Sequence, residues 1–179
     1  MLLGDVTIRR LIEEYDLITD YIDLETQLQP TGFELTIKSV ETFTGPGCLD
    51  FSNEHRVIAE AEELPWNIWS NKFEDKTILL KPLKVYRLNF NETINLRDIP
   101  YPISIVSGRR SSLMRSGIIS DIGLWDYGYR GKGQSTIFVA NPYGYRLYQN
   151  ARFHQCFFFK AEKASKIYNG KYLNEGIKQ

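Results

Sequence analysis

The stretch from residue 77 to residue 160 constrains the fold most, because it carries a dense series of short β-like segments. These segments are rich in aromatic and β-branched residues, and turn signals such as Asn141-Pro-Tyr-Gly144 separate them. A chain with many short strands and regular turns folds as a sandwich or a barrel. We therefore predict strands at residues 77–80, 85–90, 103–107, 136–140, 145–148 and 151–160.

The first half of the chain predicts fewer regular elements. Asp5 is placed to cap a helix that runs from residue 6 to about residue 15, with Ile8, Leu11 and Ile12 on one face. Residues 33–40 alternate between apolar and polar side chains, which is typical of a half-buried strand. The remaining expectations are an irregular stretch at 20–30, an irregular excursion at 52–76, a short helix at 113–118 and a polar closing tail at 168–179.

Bulk properties narrow the class of protein. At 179 residues the chain is expected to form a single domain, residues 1–179. Its 22 Lys and Arg balance its 22 Asp and Glu, so the positive field of a non-specific nucleic-acid binder is not expected. No apolar run is long enough to span a membrane. The charged residue Asp5 interrupts the N-terminal segment, which argues against a signal peptide. A cytoplasmic protein is therefore expected.

Several common kinds of site do not fit this sequence. Cys48 and Cys156 are too few to indicate a disulfide framework. His55 and His154 lie far apart in the chain without a cluster of other ligands, which argues against a zinc site and a Cys–His nucleophile. The sequence also contains no Gly-x-x-x-x-Gly-Lys-Ser/Thr phosphate loop.

The segment Arg110-Ser-Ser-Leu-Met-Arg-Ser-Gly117 is a candidate phosphate-binding site. Arg110 and Arg115 carry guanidinium groups that match phosphate oxygens, and Ser111 and Ser112 add hydroxyl donors. A helix that starts here would add a partial positive charge at its N-terminus. The alternative interpretation of the same pattern is a solvated basic turn.

The segment Gly123-Leu-Trp-Asp-Tyr-Gly-Tyr-Arg-Gly131 places Asp126 among aromatic residues. A partly desolvated carboxylate at Asp126 serves as a base, or it simply pairs with Arg130. Tyr129 either stacks on a ring or a sugar or packs in the core. Gln155 lies in an apolar run and needs a partner, which is a backbone group or a phosphate oxygen. Phosphate donors and an acid in this arrangement are typical of a nucleotide hydrolase.

Five blocks, in chain order, resemble the motifs of the trimeric dUTPase and dCTP deaminase superfamily, and within it the archaeal dUTPase-like branch. The resemblance spans most of the chain outside the excursion at 52–76, and the second and third blocks together are quite specific. The blocks are Leu28-Gln-Pro-Thr-Gly-Phe-Glu-Leu35, Arg110-Ser-Ser-Leu-Met-Arg-Ser-Gly-Ile118, Gly123-Leu-Trp-Asp-Tyr-Gly-Tyr-Arg-Gly131, Arg152-Phe-His-Gln155 and Tyr168-Asn-Gly-Lys-Tyr172.

The resemblance implies a fold, an assembly and an activity. The fold is a distorted jelly-roll-like β-barrel of the dUTPase-like β-clip type with short helices, assembled as a homotrimer with active sites between subunits. The activity is hydrolysis of dUTP to dUMP and pyrophosphate, which serves nucleotide-pool sanitation and dTTP precursor supply. The family uses Mg²⁺ held mainly by the triphosphate.

The resemblance also implies roles for individual residues. Asp126 would orient and deprotonate the attacking water. Glu34 stands where the first motif normally has Asp, and would either contact the metal, directly or through water, or make a tight structural hydrogen bond with a different local geometry. The substrate-binding residues would be Arg110, Ser111, Ser112, Arg115 and Gln155 on the phosphates, Gly123 on the uracil edge, Tyr129 on the deoxyribose, and Tyr168 and Lys171 as closing residues.

Three activities compete for this chain. The dCTP deaminases carry a glutamate shortly beyond the motif-three aspartate, whereas this chain has no Asp or Glu between Tyr127 and Ala161. That absence favours dUTP hydrolysis over a dCTP deaminase or a bifunctional enzyme. A non-catalytic nucleotide-sensing or interaction module is the third alternative, because Trp66 and Trp69 in the excursion suit an interface if they are exposed.

Overall fold

The structure is a computed structural model that describes residues 1–70 and 73–177, with side chains left undescribed at 68–70 and 73–75. The fold is mainly β with short helices, as predicted. No helix among the described residues has the length and apolar character needed to cross a membrane. The helices are α1 (Asp5–Tyr15), α2 (Leu24–Gln27) and α3 (Ser111–Arg115). The strands are β1 (Ile18–Thr19), β2 (Leu28–Gln29), β3 (Gly32–Phe43), β4 (Ala61–Glu63), β5 (Asn67–Ser70), β6 (Phe73–Leu80), β7 (Val85–Phe90), β8 (Thr93–Asn95), β9 (Ile103–Arg109), β10 (Ile118–Ser120), β11 (Gly123–Trp125), β12 (Arg130–Gly131), β13 (Gln134–Val139), β14 (Tyr145–Tyr148) and β15 (Arg152–Lys160).

The main sheet curls until its two edges are joined by the chain itself. Its strand order is β10-β13-β7-β3-β15-β9-β11, with β2 and β4 paired to β3 beside this path. Strands β10 and β11 lie at opposite ends of the order, yet only Asp121 and Ile122 separate them in sequence. A two-residue connection requires the two edges to lie side by side in space. The predicted barrel-like architecture is therefore confirmed.

Two smaller sheets complete the fold. One has the order β1-β8-β12, and the other has the order β14-β6-β5. The core inside the main sheet is filled by large apolar side chains, each of which contributes about 1.5–3 kcal/mol when it leaves water. Four phenylalanines are fully buried there, namely Phe33, Phe90, Phe153 and Phe158, and α1 adds Ile8, Leu11 and Ile12.

A buried histidine bonds across the closure of the main sheet. His154 on β15 has no exposed surface, and its Nδ1 lies 3.3 Å from Ser107 Oγ on β9. Its Nε2 lies 2.7 Å from Ser120 Oγ on β10 and 3.1 Å from Ser135 Oγ on β13. We call Ser107, Ser120, Ser135 and His154 the His154 cluster. It connects the two ends of the curled sheet, between which the described strands form no backbone ladder.

Three local predictions from the first half of the chain are wrong. Helix α1 begins at Asp5 behind Gly4, so Asp5 lies in the first turn and does not cap the helix through its side chain. Residues 20–30 contain α2, which Asp23 caps by accepting a hydrogen bond from the Thr26 amide (2.8 Å). Strand β3 is buried on both faces at residues 32–37, because α2 and its neighbours cover the face that was expected to meet solvent.

The predicted irregular excursion at 52–76 is also partly wrong, because β4, β5 and the start of β6 lie within it. The start of β6 pairs with β5, and the predicted part of β6 at residues 77–80 pairs with β14, which is distant in sequence. Trp66 is partly buried against the core and not exposed as an interface residue would be. The side chain of Trp69 lies outside the described residues.

We predict that His154 makes folding stability sensitive to acid. Burial lowers the pKa of His154 to about 4 from the ordinary 6.5, so the unfolded chain takes up the proton first as the pH falls. The contribution of neutral His154 to the free energy of unfolding is complete above the pKa of the unfolded chain. It is lost as the pH falls toward the pKa of the folded protein, and the loss is about 2 kcal/mol between pH 7 and pH 5. Urea unfolding at these two pH values measures it.

His154→Gln is the matched variant, because glutamine keeps a hydrogen-bonding side chain that does not titrate. Other titrating groups contribute equally to the pH dependence of both proteins. The difference between the two proteins in stability lost from pH 7 to pH 5 therefore gives the contribution of His154. An equal loss of stability in both proteins on going to pH 5 would contradict the prediction.

Candidate active site

One carboxylate lies against two arginines, and one of them is the candidate phosphate-binding residue Arg110. Glu34 on β3 is buried, with Oε1 2.6 Å from Arg110 Nε and Oε2 2.9 Å from Arg152 Nη1. The two guanidinium groups are about one third exposed, with 30% and 34% of their side-chain surface open. We call these three residues the arginine cluster. It keeps a net positive charge, and its open faces are suited to an anion.

The residues that follow Arg110 are open to solvent. Arg110 is the residue before α3, and its Nη1 donates to the Arg152 carbonyl (3.3 Å). Ser111, Ser112 and Arg115 are exposed on α3. The predicted phosphate donors therefore lie together on one short helix beside the arginine cluster, and they are free to turn toward a ligand.

Gln155 lies next to Glu34 across the β3–β15 ladder. Its side chain is half-buried, and no hydrogen bond joins it to another described residue. The backbone partner that was one of its two predicted options is not present in the described part of the chain. Its amide thus remains available to a ligand beside the arginine cluster.

Gly123 opens the edge strand β11. Strand β11 pairs only with β9 in the main sheet, with Gly123 opposite Ser107. The outer row of backbone groups of an edge strand is unpaired within its own sheet. This edge presents amide and carbonyl groups of the kind that recognise the edge of a nucleobase.

Asp126 follows β11 directly, and its carboxylate is exposed. Its carbonyl accepts a hydrogen bond from the Tyr129 amide (3.0 Å), and Gly128 between them has a φ of 88°, so the loop turns sharply. Among the described residues no ion pair joins Asp126 to Arg130, which removes the simple ion-pair interpretation within one chain. The partial desolvation expected from the sequence is not present in the isolated chain.

Tyr129 is buried under the C-terminal tail. Its hydroxyl donates to Glu175 Oε1 (2.7 Å), and its ring lies 6.4 Å from Trp125 and 5.8 Å from Tyr168 between centroids. Burial, and then the charge of Glu175, raise the pKa of the Tyr129 phenol, which therefore stays protonated. In this conformation the tail occupies the space where a sugar would meet the ring.

The tail is held by backbone hydrogen bonds to the loop that carries Asp126. Tyr168 N donates to the Tyr127 carbonyl (2.8 Å), Asn174 N to the Arg130 carbonyl (2.7 Å), and Lys132 N to the Glu175 carbonyl (2.9 Å). These contacts need a glycine at residue 128, because a Cβ there would lie 2.0 Å from Ile167. The side chain of Lys171 is exposed.

Glu175 is a site residue that the sequence analysis did not select. Burial raises the pKa of its carboxyl, and the Tyr129 hydroxyl opposes that shift only partly. It lies far from Asp126 in sequence and reaches Tyr129 only because the tail folds back. A local pattern carries no signal for such a contact.

The predicted residues therefore form two groups within one chain. The arginine cluster, α3 and Gln155 make up the first group, and β11, Asp126, Tyr129 and the tail make up the second. Among the described residues no hydrogen bond, ion pair or ring contact joins one group to the other.

The described residues do not form a metal site of their own. No group of three or more His, Cys, Asp or Glu side chains lies close enough to hold an ion in the described part of the chain. Both oxygens of Glu34 are within ion-pair distance of arginines, which argues against the predicted metal contact at Glu34. A cation placed there would meet two guanidinium groups.

Comparison with known proteins places the chain in a defined group. Residues 2–161 match a family model described as dCTP deaminase-like. A protein of Methanosarcina acetivorans named probable deoxyuridine 5′-triphosphate nucleotidohydrolase is 37% identical over 179 residues, or 99% of each chain. A protein of Archaeoglobus fulgidus with the same name is 38% identical over 177 residues, which is 99% of this chain and 98% of that one.

A solved structure supports the fold. The 2′-deoxycytidine 5′-triphosphate deaminase from Agrobacterium tumefaciens superposes with a TM-score of 0.64 at 20% identity over 89% of this chain. This chain spans 48% of that chain's length. At this level of identity the likeness concerns the fold alone.

We predict that the Tyr129–Glu175 hydrogen bond holds the tail closed. Tyr129→Phe removes the hydroxyl and keeps the ring, and one hydrogen bond contributes about 1 kcal/mol. The open fraction of the tail should therefore rise about fivefold, and trypsin should cut after Lys171 about fivefold faster. Cleavage is followed by mass spectrometry under native conditions.

Tyr143→Phe is the control, because Tyr143 is exposed on a turn away from the tail. Its cleavage rate should equal that of the wild type. Cleavage of Tyr129→Phe at the wild-type rate would show that the hydrogen bond does not hold the tail.

Proposed function

Because the chain belongs to the dCTP deaminase-like family, we propose that it hydrolyses dUTP to dUMP and pyrophosphate. The observation that carries this proposal is similarity over nearly the full chain to archaeal proteins named as dUTP nucleotidohydrolases, at 36–38% identity. The exposed carboxylate of Asp126 supplies the base that this reaction needs.

Asp126 is the proposed base. It orients a water and accepts its proton while the water oxygen bonds to the α-phosphorus. The bond from that phosphorus to the bridging oxygen breaks at the same time, and pyrophosphate leaves with the electron pair. A positioned base contributes about 10²–10⁴-fold to such a reaction. The carboxylate is free for this task because no described residue pairs with it.

The first group of residues is the proposed triphosphate site. Arg110 and Arg115 neutralise the phosphate charge, and Ser111, Ser112 and Gln155 donate hydrogen bonds. Glu34 would keep the Arg110 guanidinium oriented before the ligand arrives, which lowers the cost of ordering it on binding. We therefore assign Glu34 to positioning and not to metal binding.

The second group is the proposed nucleoside site. The outer edge of β11 at Gly123 would meet the uracil, and Tyr129 would pack on the deoxyribose. Because the tail covers Tyr129 in the absence of a ligand, it must open for substrate to enter. Tyr168 and Lys171 would then close over the bound nucleotide.

We propose a homotrimer in which each site combines the two groups from different subunits. This accounts for the lack of a contact between the groups within one chain. Exposed apolar side chains along α3, β10 and β11 suit such a subunit contact. They are Met114, Ile119, Ile122 and Leu124, each with more than half of its surface exposed.

Magnesium is proposed to enter with the substrate. The described residues provide no carboxylate set that fits a resident ion, and phosphate oxygens are the ligands that Mg²⁺ prefers in nucleotide sites. The protein's own part is then to bind a Mg²⁺–dUTP complex through arginine, hydroxyl and amide groups.

Deamination of dCTP is the second candidate function. The position of the Glu175 carboxyl beside the nucleoside group favours it. Burial raises the pKa of this carboxyl beside the nucleoside group, which suits proton transfer to or from a base ring. Incubation with dCTP and Mg²⁺, followed by an ammonia assay, tests it. If the wild-type protein releases ammonia and Glu175→Gln does not, the result would support deamination. If the wild-type protein releases no ammonia, deamination is ruled out.

Asp126→Asn should lower kcat for dUTP by about a thousandfold, since asparagine cannot accept the water proton. Binding of a non-hydrolysable dUTP analogue should stay within about threefold of wild type, because the side chain of Asp126 makes no hydrogen bond or ion pair with another described residue. Product formation is measured by chromatography with Mg²⁺ present, and binding by calorimetry.

Asp5→Asn is the control for Asp126→Asn, because Asp5 is also exposed and lies in the first turn of α1. It should turn over dUTP at the wild-type rate. Near-normal turnover by Asp126→Asn would rule out the assigned base.

A further inference from the structure

Asp121 extends the hydrogen-bond network of the His154 cluster. Asp121 Oδ1 accepts from Ser135 Oγ (2.7 Å), and Oδ2 accepts from the Thr136 amide (3.2 Å). Because the Ser135 proton points to Asp121, the arrangement is satisfied when His154 Nε2–H donates to the serine oxygens and Ser107 donates to Nδ1. Contacts on both ring nitrogens hold the imidazole in one orientation.

These residues do not form a hydrolytic triad, although Ser, His and Asp are all present. A triad needs a carboxylate on the imidazole and a hydroxyl that is open to substrate. Here Asp121 contacts Ser135 instead of the imidazole, and Ser107 and His154 are both 0% exposed. A role in positioning the chain is the one that this geometry allows.

The cluster holds the chain on both sides of the turn at Asp121–Ile122. Ser120 ends β10 just before the turn, and Ser107 lies on β9 opposite Gly123 just after it. His154 contacts both serines, and its ring packs on Phe153 with 5.8 Å between centroids. The turn is therefore tied to a rigid part of the core.

Gly123 rests directly on the hydroxyl that His154 holds. A Cβ at Gly123 would lie 2.7 Å from Ser107 Oγ and 3.1 Å from the Trp125 ring. A side chain at residue 123 would therefore collide with the Ser107 hydroxyl, and a shift of this hydroxyl changes the packing beside the Gly123 backbone.

We propose that His154, acting through Ser107, is a positioning residue that sets where the Gly123 backbone meets the nucleobase. This rests on the proposed function, in which the β11 edge reads uracil. Small displacements of groups that orient a ligand weaken its recognition strongly. Among the described residues, no hydrogen bond or ion pair joins Ser107 to the arginine cluster, α3 or the Gln155 side chain, so we expect phosphate binding there to be independent of this hydroxyl.

Calorimetric binding of two separate ligands tests the proposal. The ligand dUMP engages the nucleoside group, and inorganic tripolyphosphate engages the arginine cluster. Ser107→Ala should raise the Kd for dUMP about tenfold and leave the Kd for tripolyphosphate within about twofold. Ser107→Cys, which keeps the volume with a weaker donor, should shift dUMP binding in the same direction and replaces the alanine variant if that variant does not fold.

Thr77→Val is the matched control. Thr77 is also buried, and it accepts a hydrogen bond from Arg146 Nη1 (3.2 Å) in the β14-β6-β5 sheet. Its loss should leave both Kd values within about twofold of wild type, which shows that losing a buried hydroxyl does not by itself weaken dUMP binding.

The outcomes separate this inference from the proposed function. Equal dUMP affinity in Ser107→Ala and wild type, or an equal loss for both ligands, would overturn the positioning role alone. Wild-type protein that binds dUMP but does not hydrolyse dUTP would overturn the proposed function alone. Wild-type protein that binds no dUMP would overturn both.

Discussion

The rest of the structure depends on the two-residue connection between β10 and β11. Because these strands are the two edges of the main sheet, their connection requires the sheet to curl round a closed core. Backbone pairing does not join the edges in the described chain, and the His154 cluster joins them through side chains. A buried neutral imidazole suits this position, since it offers one donor and one acceptor without the cost of a buried charge.

Charge is handled differently at the surface of the site. Glu34 is buried, but it lies against two arginines that keep part of their surface in water. Removing one partner of such a group leaves an uncompensated charge, so each member supports the others. The same arrangement presents two oriented guanidinium groups outward. The ion pairs of Glu34 therefore stabilise the structure and also orient the arginines for a phosphate ligand.

Much of the fold was predictable from sequence because the strands of the second half carry local signals. Strands β7 and β14 have the predicted bounds, and β9, β13 and β15 differ from prediction by a few residues at most. The sequence does not predict β5 and the start of β6, because these segments pair with each other and their own sequence is polar or mixed. The alternating pattern in β3 predicted a half-buried strand, but other elements pack over its second face and bury both faces.

The candidate site was predictable where motifs are contiguous and was not where the fold brings distant residues together. The segment at 110–115 and the loop around Asp126 carry their chemistry in a few neighbouring residues. The contact of Glu175 with Tyr129 depends on the path of the tail, and the pairing of Glu34 with Arg152 depends on the β3–β15 ladder. His154 was read only as an isolated histidine, because its three serine partners come from three different strands.

The proposed reaction depends on attack of water at the α-phosphorus of dUTP. Turnover in H₂¹⁸O, with both products analysed by mass spectrometry, tests this most directly, because the label marks the phosphorus that the water attacks. The account predicts one ¹⁸O atom in dUMP and none in pyrophosphate. Label in pyrophosphate with unlabelled dUMP would contradict it.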